Sequence, residues 1–399
     1  MTYFHAYREG IIGERIKKSL DEGEITPRDA EIINEYIAEI GMKRGQLPTK
    51  NHLYTLLIVA GIRSKPFVEW TYKDFPIVIN EIKNGKKRGN PDIKRNNGDG
   101  YSQNTQRDLI ATLKKFFLWM NREGYTSIEK SRIEAITPPP KDSMTKTAAM
   151  LLTEAEVEQF IKACRTSRDR ALFSVLYDGG FRIKELAVLN WSQVKFDENG
   201  AIVNVDDKTG KPRRVRIIWS VPYLATWRRD HEDGDNPDAL VFTTWRGGDP
   251  RPLTYQNCNN LARSIARKAG ISRNISLHLF RHSRITDLMK KGLSESNLKR
   301  MMWGNERTGM LATYGHLTDS DTDNALLALS GVRKAMVQES INVPVICVRC
   351  NHINPGKTRF CGGCGMELSP EAADEKRKLE EYIERRVKEQ IDEIMQKKQ

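Results

Sequence analysis

Three consecutive prolines near the middle of the chain strongly limit its architecture. Pro138, Pro139 and Pro140 have no backbone N–H and a fixed φ, so neither a helix nor a central strand can continue through them. The polar run KDSMTKT follows directly. Stiff prolines followed by polar residues are typical of a linker, so we expect residues 137–150 to separate two domains.

The segment before the linker, residues 1–136, has the pattern of an all-helical domain. Thr26 and Asp29, with a proline between them, form a helix start in which Thr26 is the N-cap. A second start is expected at Thr105, three residues before Asp108 and ahead of apolar residues that follow the 3.6-residue period.

The segment after the linker, residues 151–336, combines helices with a small sheet. Thr153 and Glu156 have the spacing of a capping box, which predicts a helix start. The stretch VKFDENGAIVNVDDKTGKPRRVRII contains an Asn-Gly turn between two β-rich runs and a Thr-Gly turn before a third. We therefore expect a three-stranded antiparallel sheet here and helices in the rest of the domain.

Basic residues outnumber acidic ones, and the excess lies in the body of the chain. The formal net charge is +13 and the pI about 9.3. Residues 371–399 carry 8 basic and 9 acidic side chains, so the rest of the chain carries +14. This balance favours an anionic polymer as partner. The sequence shows neither a run of about 20 apolar residues nor a signal-peptide pattern, so we expect a soluble cytoplasmic protein without membrane contact.

A basic loop is predicted inside the first domain. Its lysines and arginines stand among glycines and asparagines, and they include Lys86, Lys87, Arg88, Lys94 and Arg95. The loop is either a solvated insertion or a segment that contacts phosphates. Contacts of the second kind add affinity for nucleic acid without reading its sequence.

Four of the six cysteines form two CxxC pairs. They are Cys347, Cys350, Cys361 and Cys364. Four thiolates at this spacing suit a tetrahedral zinc ion, so we expect a zinc ribbon over residues 343–368 in which the metal is structural. A rubredoxin-like iron site is the alternative, and disulfides do not suit a cytosolic protein. Cys164 and Cys258 lie in helical patterns and are expected to be buried thiols.

Residues 371–399 have the pattern of an amphipathic helix. Its apolar stripe consists of Leu379, Ile383, Val387, Ile391 and Ile394. The heptads are too irregular to establish a coiled coil. This helix either docks on its own chain or joins protomers.

Several segments together contain the residues of a reactive site. In HLFRH, His278 and Arg281 lie one helical turn apart on the same face, and Tyr314 follows in ATYGHL. A tyrosine hydroxyl that attacks a phosphodiester needs a group to move its proton and cations to stabilise the phosphoryl oxygens. Arg182 in YDGGFRIKEL adds a second guanidinium, and Lys208 lies in the predicted turn between two strands.

In this order, the residues resemble the tyrosine recombinase (phage integrase) family, whose signature runs Arg, Lys, His-x-x-Arg, His or Trp, Tyr. The resemblance implies that Tyr314 attacks the scissile phosphate and forms a 3′-phosphotyrosyl link. Arg182 and Arg281 would then stabilise the developing charge. His278 would assist deprotonation of the tyrosine, and Lys208 would protonate the departing 5′ oxygen. Neither ATP nor a catalytic metal is implied.

The resemblance covers roughly residues 26–330 and implies a multidomain, mainly α architecture. It implies an all-α core-binding domain (1–136) that clamps DNA and an α+β catalytic domain (151–336). The zinc ribbon and the C-terminal helix complete the expected architecture but lie outside the resemblance. The implied partner is double-stranded DNA, with a homo-tetramer on DNA and a monomer or weak oligomer when free. Accessory DNA-bending factors and a nucleoid location are also implied. The function expected is site-specific recombination or integration for a mobile element, or resolution of chromosome dimers. The nearest alternative is a type IB topoisomerase-like relaxer.

Trp303 departs from the family pattern because it precedes Gly304, whereas the family has Gly before His or Trp. Trp303 either reaches the phosphate through a shifted turn or is a packing residue. This departure keeps open a third possibility, a DNA-binding regulator that has the fold and has lost the activity.

Four more residues have open roles. Glu185, one turn after Arg182, is either a support for the site or structural, and His316 either supports the site or packs in a helix. Lys211 and Arg213 lie on the same predicted hairpin as Lys208, so the identity of the general acid depends on the geometry of that hairpin.

Overall fold

The computed structural model describes most of the chain. The described residues are 11–44, 46–63, 65–84, 101–142, 150–205, 212–246, 249–309, 311, 327, 330, 344–350, 352–356 and 358–396. Those between 11 and 142 form one compact unit, and those between 150 and 396 form a second.

Helices build the first unit, in agreement with the sequence pattern. They are α1 (Ile11–Asp21), α2 (Pro27–Arg44), α3 (Gln46–Ile62), α4 (Asp74–Asn84), α5 (Gln103–Arg122) and α6 (Lys130–Glu134). The start predicted at Thr26 is confirmed, because the Asp29 N–H donates to the Thr26 hydroxyl at 3.1 Å and the Asp29 carboxylate accepts the Thr26 N–H at 3.1 Å. The start predicted at Thr105 is wrong by three residues, since the Ser102 hydroxyl accepts the Thr105 N–H at 3.3 Å and caps α5.

Helix α5 contributes aromatic side chains to the centre of this unit's core. Phe116 and Phe117 are fully buried. Phe116 packs edge-on against Tyr36 of α2 and against Phe67, with ring centroids 5.1 and 5.0 Å apart. Edge-to-face pairs of this kind add stability beyond the apolar area that they bury.

Asp74, the first residue of α4, has a buried carboxylate surrounded by donors. It accepts the Thr71 N–H at 2.7 Å and Arg63 Nε at 2.9 Å, and Lys65 Nζ lies 3.4 Å away. Burial by itself raises the pKa of Asp74, but the bonds from Thr71, Arg63 and Lys65 outweigh burial and lower the pKa to about 2.

We expect acid to destabilise the first unit through Asp74. Because its folded pKa lies below the ordinary value of about 3.9, its contribution is fully present above pH 4 and is lost as the pH falls towards 2. Asp74→Asn should lower the free energy of unfolding at pH 7 by about 2 kcal/mol and flatten its pH dependence between about pH 4 and 2, measured by urea unfolding. Asp108→Asn, at an exposed carboxylate, is the control. An unaltered pH profile in Asp74→Asn would contradict this assignment.

The second unit combines helices with two small antiparallel sheets before its C-terminal segment. Its helices are α7 (Glu154–Ala163), α8 (Ser167–Asp178), α9 (Ile183–Ala187), α10 (Val221–Asp230), α11 (Tyr255–Lys268), α12 (Leu277–Lys290) and α13 (Glu295–Trp303). Its strands are β1 (Val194–Asp197), β2 (Gly200–Val205), β3 (Arg213–Ile217), β4 (Thr243–Arg246) and β5 (Asp249–Pro252). The capping box predicted at Thr153 and Glu156 starts α7.

The predicted three-stranded antiparallel sheet is present, with strand order β1-β2-β3. The turn between β1 and β2 consists of Glu198 and Asn199, one residue earlier than the Asn-Gly pair expected from the sequence, and Gly200 is the first residue of β2. Gly200 has a φ of +128°, and a Cβ there would lie 2.4 Å from the carbonyl oxygen of Ile217. Only glycine meets both conditions without strain, so this residue determines where the hairpin turns.

The hairpin formed by β4 and β5 was not expected, because the sequence pattern predicted helices outside the three-stranded sheet. Its strands pair in register from Thr243 opposite Pro252 to Arg246 opposite Asp249. β5 reads DPRP, and prolines lack the N–H that a central strand donates. A two-stranded ribbon tolerates prolines because the backbone groups on the outer edge of each strand do not bond to a neighbouring strand.

The C-terminal segment contains a small β pairing and a long helix. β6 (Val345–Ile346) pairs antiparallel with β7 (Ile353–Asn354), and α14 spans Pro370–Gln396. On the predicted apolar stripe of α14, Leu379, Ile383 and Val387 are each about half exposed. The side chains of Ile391 and Ile394 lie outside the described part. Among the described residues, no helix is both long and apolar enough to cross a membrane.

Candidate active site

A left-handed turn at Gly180 brings the end of α8 to the start of α9. Gly180 has a φ of +56°, and a Cβ on it would lie 2.6 Å from Cε of Met302. Phe181 follows and is fully buried, so the turn is anchored in the core. This anchoring places Arg182 at the N-cap of α9.

Glu185 holds Arg182 through both its backbone and its side chain. The Glu185 carboxylate accepts the Arg182 N–H at 2.7 Å with Oε2 and Arg182 Nη1 at 3.1 Å with Oε1. The Glu185 side chain is 6% exposed and that of Arg182 is 34% exposed. The guanidinium is therefore oriented by a buried carboxylate while part of it faces solvent.

Arg213, the first residue of β3, pairs with the same carboxylate. Its Nη2 donates to Glu185 Oε2. Its Nη1 donates to the carbonyl oxygens of Met301 and Met302, at 2.6 and 3.0 Å. The Arg213 side chain is 1% exposed and Cζ lies 5.6 Å from the centroid of the Phe181 ring. Arg213 is thus enclosed within the site, and its side chain is not accessible for proton donation to a bound substrate.

Helix α12 contributes His278 and Arg281, which lie one turn apart as predicted. Arg281 is 1% exposed and donates to the Gly180 carbonyl at 2.5 Å and to the Met302 carbonyl at 2.6 Å. His278 is exposed near the start of the helix, and its ring meets the His282 ring edge-on with centroids 4.6 Å apart. The arginine therefore contacts the turn at Gly180, while the histidine faces outward.

Trp303 is the last residue of α13, and its ring packs against Arg281. Arg281 Cζ lies 5.3 Å from the centroid of the Trp303 ring, within the range of cation–π attraction. Gly304 then ends the helix with a φ of +63°. The Trp-Gly order thus combines a packing residue for Arg281 with a helix C-cap, which supports the packing alternative for Trp303.

Arg182, Arg213 and Arg281 form what we call the arginine cluster. Glu185 accepts bonds from Arg182 and Arg213, and the Met302 carbonyl accepts bonds from Arg213 and Arg281. The net positive charge and the planar N–H donors suit the non-bridging oxygens of a phosphate. Such donors, held in place before reaction, stabilise the charge that develops during phosphoryl transfer.

Four other predicted site residues lie outside the described part of the chain, namely Lys208, Lys211, Tyr314 and His316. The same holds for the basic loop residues Lys86, Lys87, Arg88, Lys94 and Arg95. Their placement and roles stay predictions.

The position of Arg213 inside the cluster was missed, although the sequence contained a signal for it. Along β3, Arg213, Val215 and Ile217 are buried, whereas Arg214 and Arg216 face outward. Alternation with a period of two assigns Arg213 to the same face as the two apolar residues. A buried arginine on that face requires a partner, which Glu185 provides.

The four predicted cysteine ligands come together as a second site. Their Sγ atoms all lie within 4.8 Å of one another, with Cys347 and Cys364 3.6 Å apart and Cys350 and Cys361 3.5 Å apart. A tetrahedral zinc with Zn–S bonds of about 2.3 Å has sulfur atoms about 3.8 Å apart. The four thiols therefore fit such an ion in both number and spacing.

Two amide groups lie next to the sulfur of Cys361. Gly363 N–H donates to Cys361 Sγ at 3.4 Å, and Asn354 Nδ2 lies 3.6 Å from the same sulfur. Asn354 is 1% exposed, and its Oδ1 accepts the Gly362 N–H at 2.8 Å. N–H donors of this kind stabilise a metal-bound thiolate. The other two cysteines are buried thiols, as predicted, and burial raises the pKa of Cys164 and of Cys258 to about 12.

Part of the second unit matches a known protein family. Residues 150–321 match the phage integrase family. The chain is 28% identical over 231 residues to tyrosine recombinase XerD of Neisseria meningitidis, covering 55% of this chain and 75% of that protein. It is 30% identical over 183 residues to transposase A from transposon Tn554 of Staphylococcus aureus, covering 43% of this chain and half of the transposase.

A solved structure of XerH site-specific recombinase, bound to its palindromic difH substrate, has a similar fold. The TM-score is 0.54 at 16% sequence identity, and the match covers 80% of this chain and 95% of the XerH chain. The family match ends before the four cysteines. The chain therefore carries, over residues 150–321, a domain of the phage integrase family, to which the tyrosine recombinases belong.

Proposed function

We propose that this protein is a site-specific DNA recombinase that cuts and rejoins strands through a 3′-phosphotyrosyl intermediate on Tyr314. The observation that carries the proposal is that Arg281 donates to the carbonyl of Gly180, two residues before Arg182, within a phage integrase family domain. A phosphodiester that accepts a nucleophile develops charge on its non-bridging oxygens, and two held guanidinium groups suit that charge.

In the proposed cleavage step, the Tyr314 oxygen bonds to phosphorus and the bond from phosphorus to the 5′ oxygen breaks. His278 accepts the phenol proton, and its exposed position on α12 suits contact with a bound strand. Lys208 delivers a proton to the departing 5′ oxygen. Rejoining reverses these transfers, with a 5′ hydroxyl attacking the phosphotyrosine. The link retains the energy of the phosphodiester, so the step uses no ATP and no catalytic metal.

Double-stranded DNA is the proposed partner, and the charge of the chain supports it. The net charge of +13 favours a polyanion, and the basic loop from Lys86 to Arg95 would add contacts to phosphates. The similarity to a transposase and to a recombinase solved on its DNA substrate favours a mobile-element enzyme that assembles as a multimer on DNA, with a tetramer as the expected state.

We further propose that the four cysteines bind a structural zinc ion. Four thiolates leave no open coordination position, so the metal would hold the ribbon together and take no part in strand transfer. Zinc is favoured over iron because the expected role needs no redox chemistry. The apolar stripe on α14 is a proposed contact between protomers.

Product analysis separates recombination from the two alternatives. Two linear duplexes with candidate sites and differently labelled arms should yield arms exchanged between them, without ATP and without added magnesium. Relaxation of supercoiled plasmid without arm exchange would instead support a topoisomerase-like enzyme. DNA binding without either product would support a regulator. Tyr314→Phe is the matched control and should bind DNA yet give no product.

A further inference from the structure

The charge of Arg213, like that of Arg281, is almost entirely enclosed. Its side chain is 1% exposed, whereas that of Arg182 is 34% exposed. Enclosing a guanidinium is unfavourable unless each of its sides meets a partner. The partners of Arg213 therefore indicate what the residue does.

The partners of Arg213 are also partners of the two arginines proposed to bind phosphate. Glu185 accepts Arg213 with Oε2 and accepts the Arg182 guanidinium with Oε1. The Met302 carbonyl accepts Arg213 Nη1 at 3.0 Å and Arg281 Nη2 at 2.6 Å. Arg213 thus shares one acceptor with each of them, and it connects α9 to the C-terminal end of α13.

Arg213 also lies at one end of the connection that contains Lys208. In the sheet, Arg213 pairs with Val205, the last residue of β2. Residues 206–212, which include Lys208, connect Val205 to Arg213 along the chain. The pairing of Val205 with Arg213 therefore fixes both ends of this segment next to the arginine cluster. A residue anchored there can influence both the arginines and the proposed general acid.

From these contacts we infer that Arg213 is a positioning residue that sets the spacing between Arg182 and Arg281. This inference rests on the proposed function, because the spacing between Arg182 and Arg281 matters only if both arginines act on one phosphate. Without Arg213, Glu185 would keep Arg182 as its ion-pair partner and draw that guanidinium closer. The Met302 carbonyl would lose one of its two donors, which would loosen the end of α13 beside Arg281.

Lysine is the informative replacement at this position. It keeps the positive charge and much of the apolar stem, so the fold and the pairing with Glu185 can persist. A single ammonium cannot reproduce the planar fork that reaches Glu185 and the two carbonyls together. A small displacement of a catalytic group is enough to slow reaction, on the order of 10²-fold for about 1 Å.

The test measures DNA affinity and single-turnover cleavage separately, on a nicked duplex with the candidate site. For Arg213→Lys we expect wild-type affinity within about twofold and cleavage slower on the order of 10²-fold. Arg214→Lys, at the exposed neighbour on the same strand, should cleave within about twofold of wild type. Thermal unfolding of each variant shows whether the fold is retained, and Arg213→Met serves as a second variant that retains volume without charge.

A duplex with sulfur in place of the leaving 5′ oxygen separates two routes of action. A thiolate leaves without a proton donor, so this substrate bypasses Lys208. If Arg213 positions the arginines, Arg213→Lys stays slow on the sulfur substrate. Full recovery would overturn the inference and assign Arg213 to the Lys208 segment. If folded Arg213→Lys cleaves the ordinary substrate as fast as wild type, the inference about Arg213 is wrong and the proposed function stands. If wild type itself does not cleave, the proposed function and the inference are both wrong.

Discussion

Arg281→Ala is expected to bind DNA and to lose strand cleavage almost completely. The change removes a guanidinium proposed to stabilise the transferring phosphoryl group, and loss of one such donor slows reactions by about 10²- to 10³-fold. It also leaves the buried carbonyls of Gly180 and Met302 without this donor, so stability should fall by several kcal/mol. Covalent adduct formation in a single turnover, together with thermal unfolding, measures the two effects.

Arg284→Lys is the matched control for Arg281→Ala. Arg284 lies one turn further along α12, and its guanidinium donates to the carboxylates of Asp178 and Asp287, whereas that of Arg281 donates to the Gly180 and Met302 carbonyls. The change should therefore lower the unfolding temperature while leaving cleavage by the folded protein within a few-fold of wild type. Equal cleavage defects in the two variants would mean that Arg281 acts only through stability, contrary to the proposed role.

Removal of metal is expected to unfold the ribbon formed by the four cysteines. A structural zinc supplies about 10 to 16 kcal/mol of apparent binding energy in small thiolate sites at pH 7, more than such a segment gains from its small core. We expect about one zinc per chain by elemental analysis. Strong chelation or Cys347→Ser should abolish hydrogen-exchange protection of the Cys361 and Gly365 amides, which donate to backbone carbonyls at 2.7 and 2.9 Å.

Cys258→Ser is the control for the metal prediction. This thiol is buried in α11 and is not one of the four cysteines whose Sγ atoms cluster. Its replacement should leave the zinc content unchanged. If elemental analysis finds iron and no zinc, the metal ion is wrong and the metal site stands. Retained hydrogen-exchange protection of the ribbon without any bound metal would contradict the prediction.

Local features of the fold could be predicted from the sequence because neighbouring residues determine them. Thr153 and Glu156 cap α7 through each other, and Gly200 begins β2 directly after the turn of the first hairpin. The start of α5 was misplaced because Ser102 and Thr105 are both good caps. The β4–β5 hairpin was missed because its strands are only four residues long and β5 contains two prolines, which the pattern of a strand does not predict.

The site could be predicted only in part, because much of its geometry comes from backbone carbonyls. The pattern of side chains singled out Arg182 and Arg281, and the family match over residues 150–321 confirms the resemblance. No pattern of side-chain types indicates that the Gly180 and Met302 carbonyls would bind Arg281. Trp303, whose place before Gly304 kept the regulator alternative open, packs against Arg281, and Gly304 ends α13.

The central claim is covalent catalysis by Tyr314, and the site of attachment tests it most directly. The full-length chain is incubated with nicked duplexes that carry candidate target sites, denatured with detergent and digested, and the peptides are mapped by mass spectrometry. We predict nucleotide on the peptide that contains Tyr314, and none for Tyr314→Phe bound to the same DNA. An adduct on a different residue, or no adduct from folded wild-type protein bound to its site, would contradict the claim.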